Sequence, residues 1–136
     1  MFKKPPYIRP ICLPLSSESS TLGEKLYVAG WGKTERANRS PVKLKLEVPI
    51  AERSHCVSSF RRASISLKDT QLCAGGVKAK IHVQRWTTDE NYKNDTSQWY
   101  IEGIVSFGAG CGTEGWPGIY TRVSKYLEWI RNTIKS

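Results

Sequence analysis

Residues 42–50 alternate strictly between apolar and polar side chains, and this pattern constrains the fold more than any other feature. The apolar positions are Val42, Leu44, Leu46, Val48 and Ile50. A period of two residues predicts a β-strand that buries one face against a hydrophobic core. We expect Pro49 to end this strand or to lie at a sheet edge, because proline cannot donate to a ladder of hydrogen bonds.

Four further stretches predict strands, namely residues 26–29, 70–74, 99–107 and 118–123. Glycine punctuates the chain between and beside them, at positions 30, 32, 75, 76, 108, 110, 112, 115 and 118. Short strands separated by Gly-rich turns are typical of an antiparallel sandwich or barrel. The almost wholly polar residues 87–98 predict a surface loop.

Helical patterns are confined to two places. In the tail, Ser124 is the expected N-terminal cap of a helix whose apolar stripe consists of Tyr126, Leu127, Ile130 and Ile134. A weaker pattern over residues 51–59 predicts a helical turn that leads into Cys56.

Composition and charge exclude several classes of protein. The 136 residues, 39% of them hydrophobic, fit one globular domain, and no apolar run approaches the roughly 18 residues that a membrane span needs. Residues 1–6 hold two lysines but no apolar segment behind them, so we expect no complete signal peptide there. We expect no membrane partner.

Basic residues exceed acidic ones by 21 to 12, which gives a formal net charge of +9. Residues 1–85 hold 16 basic and 6 acidic residues and therefore carry the whole surplus. The surplus suggests a polyanion-binding module, with candidate contacts at Arg36, Arg39, Lys43, Lys45, Arg53, Arg61, Arg62 and Lys68. No nucleic-acid-binding motif accompanies these residues, so no nucleic acid partner is expected.

The chain has four widely spaced cysteines, Cys12, Cys56, Cys73 and Cys111. No Cys-x-x-Cys pair and no histidine pair has zinc-ligand spacing, so we expect neither a metal nor another cofactor. Disulfides are the favoured interpretation, and buried thiols are the alternative. Asn38 and Asn94 each begin an Asn-x-Ser/Thr triplet and are candidate glycosylation sites, Asn38 the weaker because Pro41 follows its triplet.

Five segments together resemble a known family: residues 7–14 (YIRPICLP), 28–32 (VAGWG), 71–76 (QLCAGG), 103–108 (GIVSFG) and 116–123 (WPGIYTRV). They occur in the order and at the intervals of the C-terminal half of a trypsin-like serine protease of the chymotrypsin family. The arthropod clip-domain serine proteases look most similar. The resemblance covers nearly the whole chain except about residues 77–98.

The resemblance implies an all-β fold, an antiparallel six-stranded Greek-key barrel that is the second of the family's two barrels, whole or incomplete, with a C-terminal helix. Residues 1–25 would be the connector between barrels, residues 26–123 the second barrel with residues 77–98 as a divergent insert, and residues 124–136 the helix. By the same resemblance, the barrel would lack the family's strand after the catalytic serine. Apolar alternation within residues 81–86 is the candidate for a substitute strand.

No catalytic residue is assigned. The family's Ala-Ala-His-Cys motif does not occur in this sequence, and residues 77–86 stand where the family has Gly-Asp-Ser-Gly-Gly. His55, in a Ser-His-Cys sequence, would lie on the helical turn as a surface or packing residue, and His82 as a solvent-facing strand residue. Peptide-bond cleavage in the family needs a serine, an imidazole, a carboxylate and oxyanion donors, so the chain alone is expected to be inactive.

The resemblance also implies part of a substrate-binding wall. Ser106, Phe107 and Gly108 would form the edge that pairs with a peptide substrate, and Gly118 would line the specificity pocket; the alternative is that they merely continue a sheet and relieve a turn. Cys56 and Cys73 match a family disulfide. Cys12 and Cys111 match cysteines whose partners are missing here, so both are expected to be orphans.

Three functions are compatible with these observations. The first is a partial serine endopeptidase domain, whose complete relatives act outside the cell on proteins, often after Arg or Lys, in immune or developmental cascades. The second is a non-catalytic homologue that regulates a protease cascade by binding. The third is the polyanion-binding module described above. The first explains both the motifs and their gaps, and it makes the missing first barrel and a protein or peptide substrate the expected partners.

Overall fold

The computed structural model describes residues 10–15, 20–32, 37–77, 88–93, 98–108 and 114–134, with the backbone alone for residues 88–93 and 98. The strands are β1 (Lys25–Gly30), β2 (Leu44–Pro49), β3 (Gln71–Gly75), β4 (Thr88–Lys93), β5 (Gln98–Phe107) and β6 (Pro117–Arg122). The helices are α1 (Arg53–Arg62) and α2 (Leu127–Thr133), and a 3₁₀ turn, Val123–Tyr126, precedes α2.

The strands form one six-stranded sheet in the order β2-β1-β4-β5-β6-β3, in which all neighbours are antiparallel. Its two edge strands meet at one isolated antiparallel bridge between Ile50 and Ala74. Beside this bridge, the Ala51 N–H donates to the Cys73 carbonyl at 3.0 Å. The sheet therefore curls until its edges touch, although no continuous ladder between β2 and β3 is present in the described residues.

The prediction of a surface loop over residues 87–98 is wrong for β4. This strand lies inside the sheet, paired with β1 on one side (Glu90 opposite Tyr27) and with β5 on the other (Tyr92 opposite Trp99). Pairing both neighbouring backbones satisfies their hydrogen bonds, and this gain outweighs the low strand propensity of Asp, Glu and Asn. The strand β4 begins at Thr88, after the stretch that we predicted as a substitute strand. That stretch, residues 81–86, lies outside the described residues.

The other strand predictions are confirmed to within two residues. β2 ends at Pro49 as expected, and Val48 and Ile50 are buried. Leu44 and Leu46 are half-buried and pack against the core. Val42 is the exception, with 60% of its surface exposed, because it precedes the first paired residue of β2.

The sheet packs apolar residues on both of its faces. One face covers the main core, whose buried residues are Leu26, Val28, Val48, Ile50, Leu72, Ala74 and Tyr120. On the opposite face of β3 and β6, Cys73 and Ile119 pack against Cys56 and Phe60 of α1. The alternation of side chains along β3 and β6 explains why neighbouring residues serve different cores.

The predicted disulfide is confirmed: Cys56 of α1 is bonded to Cys73 of β3, 17 residues apart, with an S–S distance of 2.11 Å. Both cysteines are buried in the cluster of Cys56, Phe60, Cys73 and Ile119, which we call the α1 core. The weak helical turn predicted near Cys56 is a full helix of 10 residues.

The C-terminal helix is confirmed but its predicted start is wrong. Ser124 lies within the 3₁₀ turn, and Tyr126 occupies the N-cap position of α2 without a capping side-chain hydrogen bond. Of the predicted apolar stripe only Leu127 is buried, whereas Ile134 is 68% exposed. The stripe is that of one continuous α-helix, but Tyr126 belongs to the 3₁₀ turn and Ile134 follows the last residue of α2, so neither end of the stripe is buried.

Gly76 marks a backbone position that no other residue fits well. Its φ is +77°, and an added Cβ would lie 3.1 Å from both the backbone nitrogen and Cγ of Pro117. We expect Gly76→Ala to lower the free energy of unfolding by about 2 kcal/mol or more, since left-handed backbone strain and a contact with rigid backbone combine. Urea unfolding followed by circular dichroism measures this loss.

The matched control is Gly23→Ala, because Gly23 has a φ of +86° but nothing within 4 Å of an added Cβ. The control should lose only the part due to backbone strain, about 1 kcal/mol. Equal losses in the two variants would show that the contact with Pro117 contributes nothing.

Candidate functional site

Ser106, Phe107 and Gly108 lie together at the carboxyl end of β5, and all three are exposed. The pairing of β5 with β6 shifts register between Val105 and Phe107, so Ser106 has no Cα partner in β6. A bulge of this kind re-aims a side chain and ends regular pairing. Among the described residues, the backbone at this end of β5 is therefore only partly paired.

A row of three aromatic rings connects this end of β5 to α1. The ring of Phe107 packs edge-on against that of Phe60, with centroids 5.7 Å apart, and Phe60 packs in the same way on Trp116 at 5.5 Å. Phe60 is 1% exposed and Phe107 is 37% exposed. Phe60 therefore ties the exposed strand end to the buried face of α1.

Gly118 lies on the neighbouring strand, close to the same strand end. Phe107 stands opposite Ile119 in the register, one residue from Gly118, and Gly118 itself pairs with Ala74. A Cβ at Gly118 would meet the Tyr120 ring at 3.2 Å. The structure thus brings together the four residues that the sequence predicts for substrate binding, while their role stays a prediction.

The remaining sequence candidates do not join this site. His55 is exposed on α1, as predicted for a surface residue. Asn38 is exposed, but the serine of its triplet, Ser40, is buried and its hydroxyl donates to the Val42 carbonyl at 2.7 Å. His82, Asn94 and Cys111 lie outside the described residues.

Among the residues that the structure describes, no group of three or more His, Cys, Asp or Glu side chains could hold a metal ion. Within the same residues, no helix is both long and apolar enough to cross a membrane.

Within the described residues, the Cys12 thiol is free. The sequence did not indicate that the backbone of Cys12 docks on β5. It forms a parallel bridge with Tyr100, in which the Cys12 N–H donates to the Trp99 carbonyl at 3.0 Å and the Ile101 N–H donates to the Cys12 carbonyl at 2.9 Å. Farther along, the N–H of Ser20 donates to the buried carboxylate of Glu102. The segment before β1 is therefore anchored to β5.

A cluster on the outer face of the sheet also escaped the sequence analysis. The Lys45 Nζ lies 4.0 Å from the Tyr27 ring centroid and 4.3 Å from that of Trp99. Lys25 forms an ion pair of 2.9 Å with Glu47, whose other oxygen accepts the Tyr27 hydroxyl at 3.1 Å. The alternation in residues 42–50 predicts exposed side chains at positions 45 and 47, but only the register brings Tyr27 opposite Glu47.

The Glu47 contacts predict a dependence of stability on pH. Hydrogen bonds from Lys25 and Tyr27 lower the pKa of Glu47 below its ordinary 4.5, while the bonds to Glu47 raise the pKa of Tyr27 above 10.0 and that of Lys25 above 10.5. The Glu47 contribution is present above pH 4.5 and is lost as pH falls through its lowered pKa. The Tyr27 and Lys25 contributions are present below their ordinary values and are lost as pH rises through the raised ones.

We therefore expect Glu47→Gln to be less stable than wild type between about pH 5 and 9, with the difference shrinking in acid and in strong alkali. The difference should be small, since the side chains are exposed and water screens their charges. Urea midpoints of both proteins measured from about pH 2 to 11 test the expectation. A difference that stays constant from about pH 2 to 11 would contradict it.

Residues 1–130 of this chain match the trypsin family of proteins. Phenoloxidase-activating factor 1 from Holotrichia diomphalia is 45% identical over 130 residues, which are 95% of this chain and 36% of that protein. Serine protease 7 from Drosophila melanogaster is 42% identical over 132 residues, covering 95% of this chain and 34% of the relative.

CLIP domain-containing serine protease B4 from Anopheles gambiae is 40% identical over 131 residues, which are 93% of this chain and 36% of the relative. The chain thus spans about a third of the length of the curated relatives it matches. These similarities confirm the resemblance to trypsin-like proteases of the clip-domain type. Because the family match covers almost all of its residues, the chain belongs to the trypsin family of serine proteases.

Proposed function

We propose that this chain is the second barrel of a trypsin-like serine endopeptidase domain and that it hydrolyses no peptide bond by itself. One observation carries the proposal: between Gly76 and β5 the sequence has no Gly-Asp-Ser-Gly-Gly element, and residues 77–86 contain neither serine nor cysteine. Without a nucleophile and its Gly-rich oxyanion turn, the largest contributions to peptide cleavage are absent.

The sheet supports the barrel part of the proposal. β4 fills the position between β1 and β5, and the bridge of Ile50 with Ala74 joins the two edge strands. We infer that the sheet closes as a six-stranded Greek-key barrel, residues 26–123, with residues 1–25 as connector and residues 124–136 as the terminal helix. The polar β4 thus replaces the strand after the family's serine without replacing its chemistry.

A second candidate function is peptide binding without catalysis, as in a protease homologue that regulates a cascade. The exposed end of β5 at Ser106, Phe107 and Gly108, which the described residues pair only in part, favours it. A peptide could pair there as an added strand, with Gly118 leaving room for its side chain. In this candidate function the partner is a protease or a protein substrate, with no nucleic acid and no membrane involved.

The setting proposed for the parent protein is extracellular proteolysis. The buried Cys56–Cys73 disulfide supports it, since such bonds persist mainly in oxidising compartments. The names of the relatives include two phenoloxidase-activating factors and a melanization protease, which supports a cascade of protein substrates for the parent.

The proposed lack of catalysis is tested by treating the full chain with a serine-directed phosphonate probe. Hydrolysis of arginine ester substrates is measured in parallel. We expect no covalent labelling and no turnover above the buffer rate, while an active trypsin-type protease in parallel gives both. Stoichiometric labelling of the purified chain would overturn the site assignment.

The binding part is tested by titrating the chain with an extended peptide that ends in arginine. Gly108→Pro removes an N–H that an added strand needs and should abolish saturable binding, whereas Gly108→Ala keeps that donor and should bind as wild type does. Circular dichroism verifies that both variants are folded. Unchanged binding in a folded Gly108→Pro variant would exclude this edge.

A further inference from the structure

The end of α1 and the turn after it carry two arginines followed closely by a serine. Residues 61–65 have the sequence Arg-Arg-Ala-Ser-Ile, and every residue from Arg61 to Ser66 is exposed. α1 ends at Arg62, and Ala63 is its C-cap. We call residues 61–65 the α1-end segment, and neither function proposed above uses it.

The backbone places Ser64 in the turn that ends the helix. The Ile65 N–H donates to the Phe60 carbonyl and the Ser64 N–H donates to the Arg61 carbonyl, both at 2.9 Å. This pair of hydrogen bonds is typical of a helix end that has a left-handed residue, usually glycine, in the turn. Ser64 has a φ of 60°, the only positive φ outside glycine in the described part of the chain. Because its Cβ is strained in this conformation, the turn opens at a lower cost than a glycine-capped turn would.

The hydroxyl group of Ser64 is available for chemistry. It forms no hydrogen bond with any residue that the structure describes. Two other exposed serines, both on α1, are already engaged: the Ser54 hydroxyl donates to the Glu52 carboxylate at 2.6 Å, and the Ser58 hydroxyl donates to the His55 carbonyl at 2.9 Å. Ser64 therefore loses no side-chain hydrogen bond when its oxygen reacts.

The two guanidinium groups of the segment are also unengaged. Within the described residues, neither Arg61 nor Arg62 forms an ion pair. By contrast, the guanidinium of Arg53 at the start of α1 donates to two backbone carbonyls, at 2.9 and 2.6 Å. Residues 53–68 contain no Asp or Glu, so α1 and the loop after it supply no carboxylate partner. Both arginines can therefore pair with the acidic groups of another protein.

We propose that Ser64 is a phosphorylation site for a serine kinase that selects arginine two and three residues before its target. Carboxylates in the cleft of such a kinase pair with guanidinium groups through forked, charge-assisted hydrogen bonds. Arg61 and Arg62 occupy these two positions. The nearest buried side chain, that of Phe60, precedes the segment, so a kinase can engage residues 61–65 without extracting a core residue.

The reaction is phosphoryl transfer from ATP bound with Mg²⁺ in the kinase. A bond forms between the Ser64 Oγ and the γ-phosphorus while the bond from that phosphorus to the β,γ-bridging oxygen breaks, so ADP leaves. The hydroxyl proton passes to the catalytic aspartate of the kinase. In a parent protein that acts outside the cell, the step takes place in the secretory pathway, where the disulfide-linked fold already exists.

The modification changes the charge of the α1-end segment. A phosphoserine carries about 1.5 to 2 negative charges at pH 7 and therefore offsets the charges of Arg61 and Arg62. A negative group at the carboxyl end of a helix is opposed by the helix dipole, but two arginines within one turn of it supply the compensating pairs. Phosphorylation thus converts a basic surface into a nearly neutral one while α1 stays folded.

The test incubates the full folded chain with ATP, Mg²⁺ and the catalytic subunit of cyclic-AMP-dependent protein kinase, used as the arginine-selecting probe. Mass spectrometry locates the phosphate. We expect close to one phosphate per chain, on Ser64, and none in Ser64→Ala. Arg61→Ala/Arg62→Ala should lower kcat/KM at least about hundredfold, because it removes both charge-assisted contacts with the kinase.

The matched controls are Ser66→Ala and Lys68→Ala. Ser66 is equally exposed but has no arginine two or three residues before it, and Lys68 is a basic residue that follows the target serine. Both variants should stay within about threefold of wild type in kcat/KM, since neither alters the recognised positions. Circular dichroism verifies that every variant is folded.

Three results would overturn the proposal. The first is labelling of a synthetic peptide of residues 57–70 without labelling of the folded chain, because the fold would then withhold the serine. The second is stoichiometric labelling at a residue other than Ser64. The third is labelling of Ser64 at an unchanged rate in the folded double arginine variant.

Discussion

Replacement of Phe60 with alanine should lower the free energy of unfolding by about 3–5 kcal/mol, one of the two largest effects expected here. The Phe60 ring is 1% exposed and packs edge-on against both Phe107 and Trp116. Its removal leaves a cavity between α1 and the sheet that the disulfide-linked helix cannot easily collapse to fill. Urea unfolding of the two proteins, monitored by circular dichroism, measures the loss.

Phe60→Leu is the control, because it retains an apolar side chain while losing the ring contacts, and it should lose clearly less stability than the alanine variant. Since Phe60 supports Phe107, both variants should also weaken peptide binding at the end of β5 if the proposed binding function is correct. A loss below about 1 kcal/mol for Phe60→Ala would show that α1 does not pack on the sheet as described.

Removal of the disulfide should cost about 3 kcal/mol, the second large effect. Cys56 and Cys73 close a loop with a sequence separation of 17 residues, and the crosslink restricts the unfolded chain by a corresponding loop entropy. We expect Cys56→Ala/Cys73→Ala to unfold at lower urea than wild type by an amount that corresponds to this loss. The same bond joins α1 to β3, so part of the effect will come from the α1 core.

The matched control is Cys12→Ala, which removes a thiol that forms no disulfide with any cysteine in the described part of the chain. It should cost much less than the double variant. Addition of a reductant should bring wild type towards the stability of the double variant and leave the double variant unchanged. Wild-type stability in the double variant would contradict the loop-entropy argument.

The sequence predicted strand positions wherever buried and exposed side chains alternate along the chain. Residues 42–50 show the period of two because one face of β2 covers the core, and Pro49 ends the strand because it has no N–H to donate. The Cys56–Cys73 pair was found differently: spacing alone left several pairings open, and the family resemblance selected one of them.

The position of β4 was not accessible in this way. Residues 88–93 are mostly polar, and local propensity therefore favours a loop. What places them in the sheet is the pair of unsatisfied backbones of β1 and β5, which are far apart in sequence and become neighbours only in the folded chain. A similar limit applies to Ser124, since the 3₁₀ turn that displaces the predicted cap depends on how the chain leaves β6.

The residues of the candidate site were accessible from the sequence, whereas their contacts were not. The sequence named Ser106, Phe107, Gly108 and Gly118 through the family motifs, and the structure adds the bulge and the support from Phe60. The outer cluster around Lys45 has no motif, since its members come from three strands and meet only through the register.

The sequence by itself determined the family and the main strands, because these depend on residue identity and on short-range periodicity, and the family resemblance then selected the disulfide partners. The tertiary structure alone decided the central place of β4, the joining of the sheet edges at Ile50 and Ala74, and the two rings beneath Lys45. The physical reason is that backbone pairing and ring contacts between distant segments contribute free energy only after the chain has folded, and no local pattern encodes them.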